Sequence, residues 1–579
     1  MMKVKTLGSV TLCSAILLGA ALSAQTAYAQ TSAPPAQSTD GDVATLKAQL
    51  AEQQKEIDAL KAAVAEQNML LKKTAPTPGA TAASTAATAS QDDFALPRNK
   101  ALGDVASTTP IIPPVAPVTA PVIGIGGQKT VSPDNPCEAG VDTNSVPPYL
   151  RLGSVCITPI GFVDATFVGR DRNAASGIGT NFGSIPYNNT VNGNLSETRF
   201  SIQNSRIGFR VDGNWKGTHF IGYNEIDFLG TSGATNINTT NGAVVPRLRL
   251  YWIDARHGGW EFLAGQSWSM LTPNRRGISP LPGDIFYSQV MDVNYMAGLT
   301  WSRQPGFRVL YHFGNTLTWG LSAEEADQYM GGSSGGSSIV LPAAYTALAG
   351  TQLDNATYGN PFAGPQLTPD FISKIAWDPG AKFHAEVGGV LSTFKTINPN
   401  NLSAGQTFTK AGGGVLVSLN GEIFKGFRLI TTNFWDDGDG RYLFGTAPDL
   451  VVNADGALSL LHSGGTVDGF EARITSKTLL FMYYGGIYIG RDVVIDTTGK
   501  LVGYGYTGSA NSQNRAIQEG TFGFNQTVWA DPRYGAINLI GQYEYATREP
   551  WYVTNPSQAH DNTVYFDIRY TLPGSMPAF

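Results

Sequence analysis

Residues 206–211 read Arg-Ile-Gly-Phe-Arg-Val, and residues 247–252 read Arg-Leu-Arg-Leu-Tyr-Trp. In the first stretch Ile207, Phe209 and Val211 alternate with Arg206, Gly208 and Arg210. In the second, Leu248, Leu250 and Trp252 alternate with Arg247, Arg249 and Tyr251. Successive side chains of a strand point to opposite faces, so such a ribbon offers one face to lipid and the other to water. The alternation recurs in Phe307, Val309, Tyr311 and Phe313 against Arg308 and His312, and in Phe383, Ala385 and Val387 against Lys382, His384 and Glu386. It closes the chain in Val564, Phe566, Ile568, Tyr570 and Leu572 against Asp567 and Arg569. Phe209, Leu250, Trp252, Trp319 and Trp377 are expected on the outward, lipid-facing side.

Working outward from these stretches, sixteen strands are expected near 157–168, 200–212, 219–229, 247–256, 260–267, 306–313, 317–324, 370–378, 381–393, 410–421, 427–435, 466–474, 479–490, 517–528, 534–546 and 563–572. Bacterial barrels have short periplasmic turns at one end and long loops at the other, so connections alternate in length. Sixteen strands satisfy this, with tight turns at Gly258-Gly259, Gly314-Asn315 and Pro379-Gly380. A seventeenth strand at Met296 to Gln304 would make the stretch 325–369 a periplasmic turn. Residues 268–305 are therefore read as one long third loop with a local strand or fold of its own. An antiparallel barrel of sixteen strands is wide enough to leave an aqueous channel.

Composition agrees with a large amphipathic sheet. Gly at 67, Tyr at 23 and Phe at 27 are plentiful, only 15% of residues are charged, and the mean hydropathy of -0.09 is what alternating lipid- and water-facing residues average to. A net charge of -6 argues against a nucleic-acid binder.

Residues 1–29 read as a cleavable secretory signal: Lys3 and Lys5, an apolar stretch from about Leu7 to Leu22, and Ala27-Tyr28-Ala29 at the cut. Within 30–73, Val43, Leu50, Ile57, Val64 and Leu71 share one heptad position and Leu46, Gln53, Leu60 and Gln67 the other, the pattern of a periplasmic coiled-coil helix. Residues 74–155 form a linker rich in Pro, Ala and Thr, able to span the periplasm or touch the cell wall. The barrel is placed at 156–579. Outside the signal, which holds Cys13, the cysteines are Cys137 and Cys156, and in an oxidising compartment a disulfide between them is expected. No Cys/His cluster with metal-ligand spacing appears, and no metal or cofactor is expected.

Wall charges suggest what the pore selects. Arg206, Arg210, Arg247 and Arg249 point inward by parity, joined by Arg275 and Arg276 of the third loop and further round by Arg308, Lys374, Lys382, Arg428, Arg473 and Arg569. Glu225, Asp227, Glu261, Glu386, Glu471 and Asp567 share the wall, and Asp284 and Asp292 lie in the third loop. Guanidinium groups grip carboxylates and phosphates through paired hydrogen bonds, and a concentrated positive field draws anions in. The other reading is that the arginines pair with these acids and brace the wall. Trp268, Tyr251, Tyr287 and Tyr295 could stack a solute or belong to the interfacial girdle.

The order of features, together with Ser205-Arg206-Ile207-Gly208-Phe209-Arg210, Arg247-Leu248-Arg249-Leu250-Tyr251, Gly265-Gln266-Ser267-Trp268-Ser269 and Arg303-Gln304-Pro305, resembles the DcaP-like outer-membrane porins. The resemblance implies a homotrimer, a third loop folded into the bore, a basic constriction and a preference for small anions such as dicarboxylates. It places Arg206, Arg210, Arg247 and Arg249 at matching wall positions, with Arg275 and Arg276 in a loop less closely matched. The long linker, the Cys137 and Cys156 pair and the extension from Leu572 to Phe579 depart from that pattern. A passive porin in the outer membrane, among lipid and lipopolysaccharide, is thus expected. The alternative is an adhesin-like or wall-tethering barrel whose pore is secondary. An enzyme is not expected, because none of the six histidines sits in a recognisable nucleophile-base motif.

Overall fold

A computed structural model describes residues 150–573 apart from 153–154, 175, 231–243, 287–288, 333–337, 355–363, 532–533 and 553–558. The signal, the heptads, Cys137, Tyr287 and Phe579 lie outside the described residues.

The main sheet has eighteen segments. Two of them, Leu150–Leu152 and Glu197–Ser201, are short annexes laid against the first barrel strand, which leaves sixteen. In chain order these are β1 Val155–Arg170, β2 Arg206–Trp215, β3 Thr218–Asp227, β4 Arg247–His257, β5 Trp260–Trp268, β6 Arg303–Phe313, β7 Leu317–Glu324 and β8 Asp370–Gly380. They continue as β9 Phe383–Ile397, β10 Thr407–Phe424, β11 Phe427–Asp437, β12 His462–Arg473, β13 Thr478–Ile489, β14 Asn514–Asp531, β15 Gly535–Pro550 and β16 Ala559–Thr571. Each pairs antiparallel with the next, and β1 pairs with both β2 and β16, so the sheet closes into a barrel. Closure leaves no strand edge unpaired, which is what permits a sheet to sit in lipid.

Connections after even strands are tight. Lys216 and Gly217 join β2 to β3, and Lys425 and Gly426 join β10 to β11. The turn expected at Pro379-Gly380 falls at Ala381 and Lys382, because a bulge between Trp377 and Gly380 carries β8 on. The seventeenth candidate is not a strand: Met296 to Ser302 run as loop, with an isolated bridge from Trp301 to Leu443, and Arg303 already opens β6. Among its described residues the third loop holds no strand of its own, only a bridge between Asn274 and Ile285.

Phe209, Trp377, Phe307, Val387 and Phe566 are exposed on the outer wall, while Arg308, His384, Glu386, Asp567 and Arg569 are buried inside. Leu250 and Trp252 correct the expectation. Both are buried within the barrel, and Tyr251 is 62% exposed outside it. The cause is a bulge: Glu225 pairs with Leu250 and Ile226 with Leu248, which leaves Arg249 as an extra residue. One extra residue shifts the alternation by one, so Leu248 and Tyr251 face out while Arg249, Leu250 and Trp252 face in. Opposite the bulge, Gly265 has φ +123, and a Cβ there would lie 2.4 Å from the Tyr251 carbonyl oxygen. Beside it the Gln266 side-chain amide donates to the Arg249 carbonyl at 2.8 Å.

Candidate functional site

The third loop crosses the bore and is held by the wall on many sides. The Met270 amide donates to Glu324 of β7 at 2.8 Å, the Asn274 amide to Glu386 of β9 at 2.9 Å, and the Gln289 amide to the Tyr483 hydroxyl of β13 at 3.2 Å. The Ala297 amide donates to Glu519 of β14 at 2.8 Å. A loop carries many unpaired backbone amides, and inward-facing acids supply the acceptors that water would otherwise provide.

Arg206, Arg247 and Arg249 converge where this loop meets β2, β3 and β4. Arg249 donates from Nε to Glu225 at 2.8 Å and from Nη1 to Asp227 at 2.7 Å. Arg247 grips Asp227 with two bonds of 3.0 and 2.7 Å, and Arg206 lies 3.4 Å from Glu225. From the loop, the Tyr295 hydroxyl receives Arg206 Nη2 at 3.4 Å and Arg249 Nη2 at 3.2 Å. Arg303, the first residue of β6, completes the cluster. Its guanidinium lies over the rings of Trp268 at 5.5 Å and Trp301 at 5.9 Å, and Arg249 lies over Trp268 at 5.6 Å. Such contacts hold a cation without neutralising it. Arg303 Nη1 is buried and has no hydrogen-bond partner among the described residues. Four guanidinium groups thus face two carboxylates, an excess of two positive charges.

The other expected residues are elsewhere. Arg210 is buried and held by two 2.7 Å bonds to Asp212. Arg308 bonds Ser267 at 2.9 Å and the Trp268 carbonyl and lies 3.7 Å from Glu324. Arg275 forks onto Glu471 of β12 and pins the loop to the far wall. Asp284 turns its carbonyl to the Arg275 amide at 2.7 Å. Asp292 is wholly enclosed, accepting from the Thr180 amide at 2.8 Å, the Tyr565 hydroxyl at 2.9 Å and the Asn294 amide at 2.7 Å. Arg276 is exposed and has no ion pair among the described residues. Cys156 is fully buried on the inner face and disulfide-bonded. Arg210, Arg275 and Arg308 are each tied to an acid or the main chain of the wall or loop, while Arg206, Arg247 and Arg249 share Glu225 and Asp227 with Arg303 beside them. Arg303 was not singled out from the sequence, although the Arg303-Gln304-Pro305 stretch carries it.

His312 of β6 lies 3.1 Å from the Thr318 hydroxyl and 2.8 Å from Glu261. All three are buried, and Glu261 is also claimed by Arg256 at 3.2 Å. The arrangement ties four neighbouring strands, β4 to β7, together inside the wall.

No family model and no curated protein matches the sequence. Among solved structures, the outer membrane channel DcaP of Acinetobacter baumannii matches 74% of this chain and 100% of its own at 18% identity, with a TM-score of 0.54. An anion-selective porin from Comamonas acidovorans covers 72% of this chain and 99% of its own at 10% identity and a TM-score of 0.39. The loop-deleted OmpT of Vibrio cholerae covers the same shares at 9% identity and a TM-score of 0.38. The likeness to DcaP shows the fold, a closed sixteen-strand porin barrel, and bears out the DcaP-like resemblance at that level.

Proposed function

We propose that the chain forms a water-filled channel in the bacterial outer membrane for passive diffusion of small hydrophilic solutes, and that it favours anions such as dicarboxylates. The observation that carries the preference is the cluster of Arg206, Arg247, Arg249 and Arg303 around the third loop, where two positive charges are left over and one guanidinium has a donor unspent. Low-dielectric walls focus that field on the passage. On this reading the signal ending at Ala29 is removed, the heptads stand in the periplasm and join three copies, and Cys137 pairs with Cys156. Cell-wall contact would then fall to the N-terminal region.

Planar-bilayer recording in a potassium chloride gradient tests the preference. The expected reversal potential is that of an anion-selective pore, and it moves toward zero when Arg249 and Arg303 are both changed to Gln. A cation-selective reversal potential in the unaltered protein would sink it.

A further inference from the structure

Tyr295 is the loop residue that enters the guanidinium cluster, and its geometry is unusual in two respects. Its φ is +60, a conformation that residues with a side chain seldom adopt. A turn built by Asp292 imposes it: the Asn294 amide bonds the Asp292 carboxylate at 2.7 Å and the Tyr295 amide bonds the Asp292 carbonyl at 3.0 Å. The ring is then held edge-on between Trp268 at 6.2 Å and Trp301 at 5.0 Å. Asp292 is itself fixed by Thr180 and by Tyr565 of β16, two strands from β2 around the barrel, so the turn is braced by the wall beside the cluster.

The hydroxyl that this turn delivers sits where Nη2 of Arg206 and Nη2 of Arg249 converge, at 3.4 and 3.2 Å. Bonds from guanidinium to carboxylate are shorter, about 2.7–2.9 Å, and about twice as strong as those to a neutral oxygen. The same Arg249 makes bonds of that length to Glu225 and Asp227. The phenol therefore occupies an anion position that a carboxylate would fill better, with the unpartnered Arg303 Nη1 in the same cluster.

We propose that Tyr295 is an internal competitor for the solute, a neutral oxygen parked on the guanidinium pair that a small carboxylate must displace to pass. It sets specificity by excluding groups that bind guanidinium no better than a phenol does. Chloride, a single centre, gains less from the fork than a carboxylate with two oxygens. The proposal rests on the channel reading given above.

The test uses the full chain in planar bilayers, with succinate as the probe and half-blocking of chloride current as the readout. Tyr295→Phe keeps the ring and removes the oxygen, and Tyr295→Ala removes both. The succinate concentration for half-block is expected to fall about tenfold in Tyr295→Phe, since the donors no longer have a competing acceptor, and to fall in Tyr295→Ala as well. An unchanged or higher value in Tyr295→Phe overturns the proposal. If Tyr295→Ala does not assemble, Tyr295→Phe decides alone. Reversal potentials separate the two ideas: a cation-selective unaltered pore defeats the channel preference, whereas an anion-selective pore with an unmoved half-block defeats only the role of Tyr295.

Discussion

Arg249 reaches Asp227 at 2.7 Å from a position that has no partner of its own in the ladder between β3 and β4. Arg249 faces inward between Glu225 and Asp227, as parity with Arg247 requires, and the bulge it forms turns Leu250 and Trp252 inward beside it. Trp252 then stacks on Tyr223 at 5.2 Å, and the Tyr223 hydroxyl bonds Glu225 at 3.2 Å. One extra residue thus sets apolar packing directly beside the charge of the site.

Changing Arg249 to Met should therefore cost stability as well as selectivity. Removing one partner from a buried ionic network typically costs about 3–5 kcal/mol; here Arg206 and Arg247 still pair the two acids, so about 3 kcal/mol is expected. Denaturant midpoints in detergent would read it, together with a reversal potential shifted toward cations. Arg249→Lys keeps the charge but not the fork, and should recover the potential better than the midpoint.

Arg303 should behave differently. It has stacking on Trp268 and Trp301 but no ion pair among the described residues, so Arg303→Gln gives up at most about 2 kcal/mol. It removes one positive charge without stranding an acid. Anion preference should fall with the barrel intact, and an unchanged permeability ratio would remove Arg303 from the site.

The contrast between these two arginines shows what could be read from the chain. Strand positions were legible because each strand must satisfy lipid and water at once, and period two survives in composition. The bulge at Arg249 was not, because a shift of face changes no residue type: Leu250, Tyr251 and Trp252 suit either side. Tyr295 and Tyr251 look alike in sequence, yet one is 2% exposed inside the barrel and the other 62% exposed outside. Pairing was equally hidden, since Arg275 finds its acid 196 residues away.

That long-range pair makes a third prediction. Arg275→Met or Glu471→Gln alone strands a buried charge and should destabilise by about 3–5 kcal/mol. Combining Arg275→Met with Glu471→Gln should cost much less than the two single losses together, with a coupling of up to about 3 kcal/mol. A coupling near zero would mean that the pair does not hold the loop. All three variants should show noisier current, because the loop loses its anchor on β12.

In the long connection after β7, burial and then the charge of Asp354 push Asp327 up to about 7, against the opposing charge of Arg441. An unfolded aspartate titrates near 3.9. The folded loop therefore holds a proton that the opened loop releases. Its packing is at full strength below about pH 4 and weakens as pH rises through 7. Amide exchange at Met330 and Asp354, whose amides bond the Asp354 and Gln328 carbonyls, should be better protected at pH 5 than at pH 8 once intrinsic rates are removed. Asp327→Asn should abolish the difference.

The last prediction concerns the seat of the third loop. Gly298 has φ +85, and a Cβ there would lie 2.4 Å from the carbonyl oxygens of both Gly486 and Thr466. These are backbone atoms of β12 and β13 and cannot swing aside. The wall meets the loop with glycines of its own: a Cβ on Gly485 would be 2.2 Å from the Ala297 carbonyl oxygen, and one on Gly465 would be 2.6 Å from that of Gly298. Loop and wall touch main chain to main chain, so Gly298→Val must lift the loop off β12 and β13. The barrel ladder does not depend on that contact, and assembly should survive. With the seat lost, Tyr295, three residues earlier, retreats from Arg206 and Arg249. Conductance should rise and the succinate half-block should move in the direction expected for Tyr295→Phe. Gly485→Val, which raises the same obstacle from the wall side, should reproduce the effect. If both valine variants leave conductance and half-block unchanged, the loop is not held at this seat.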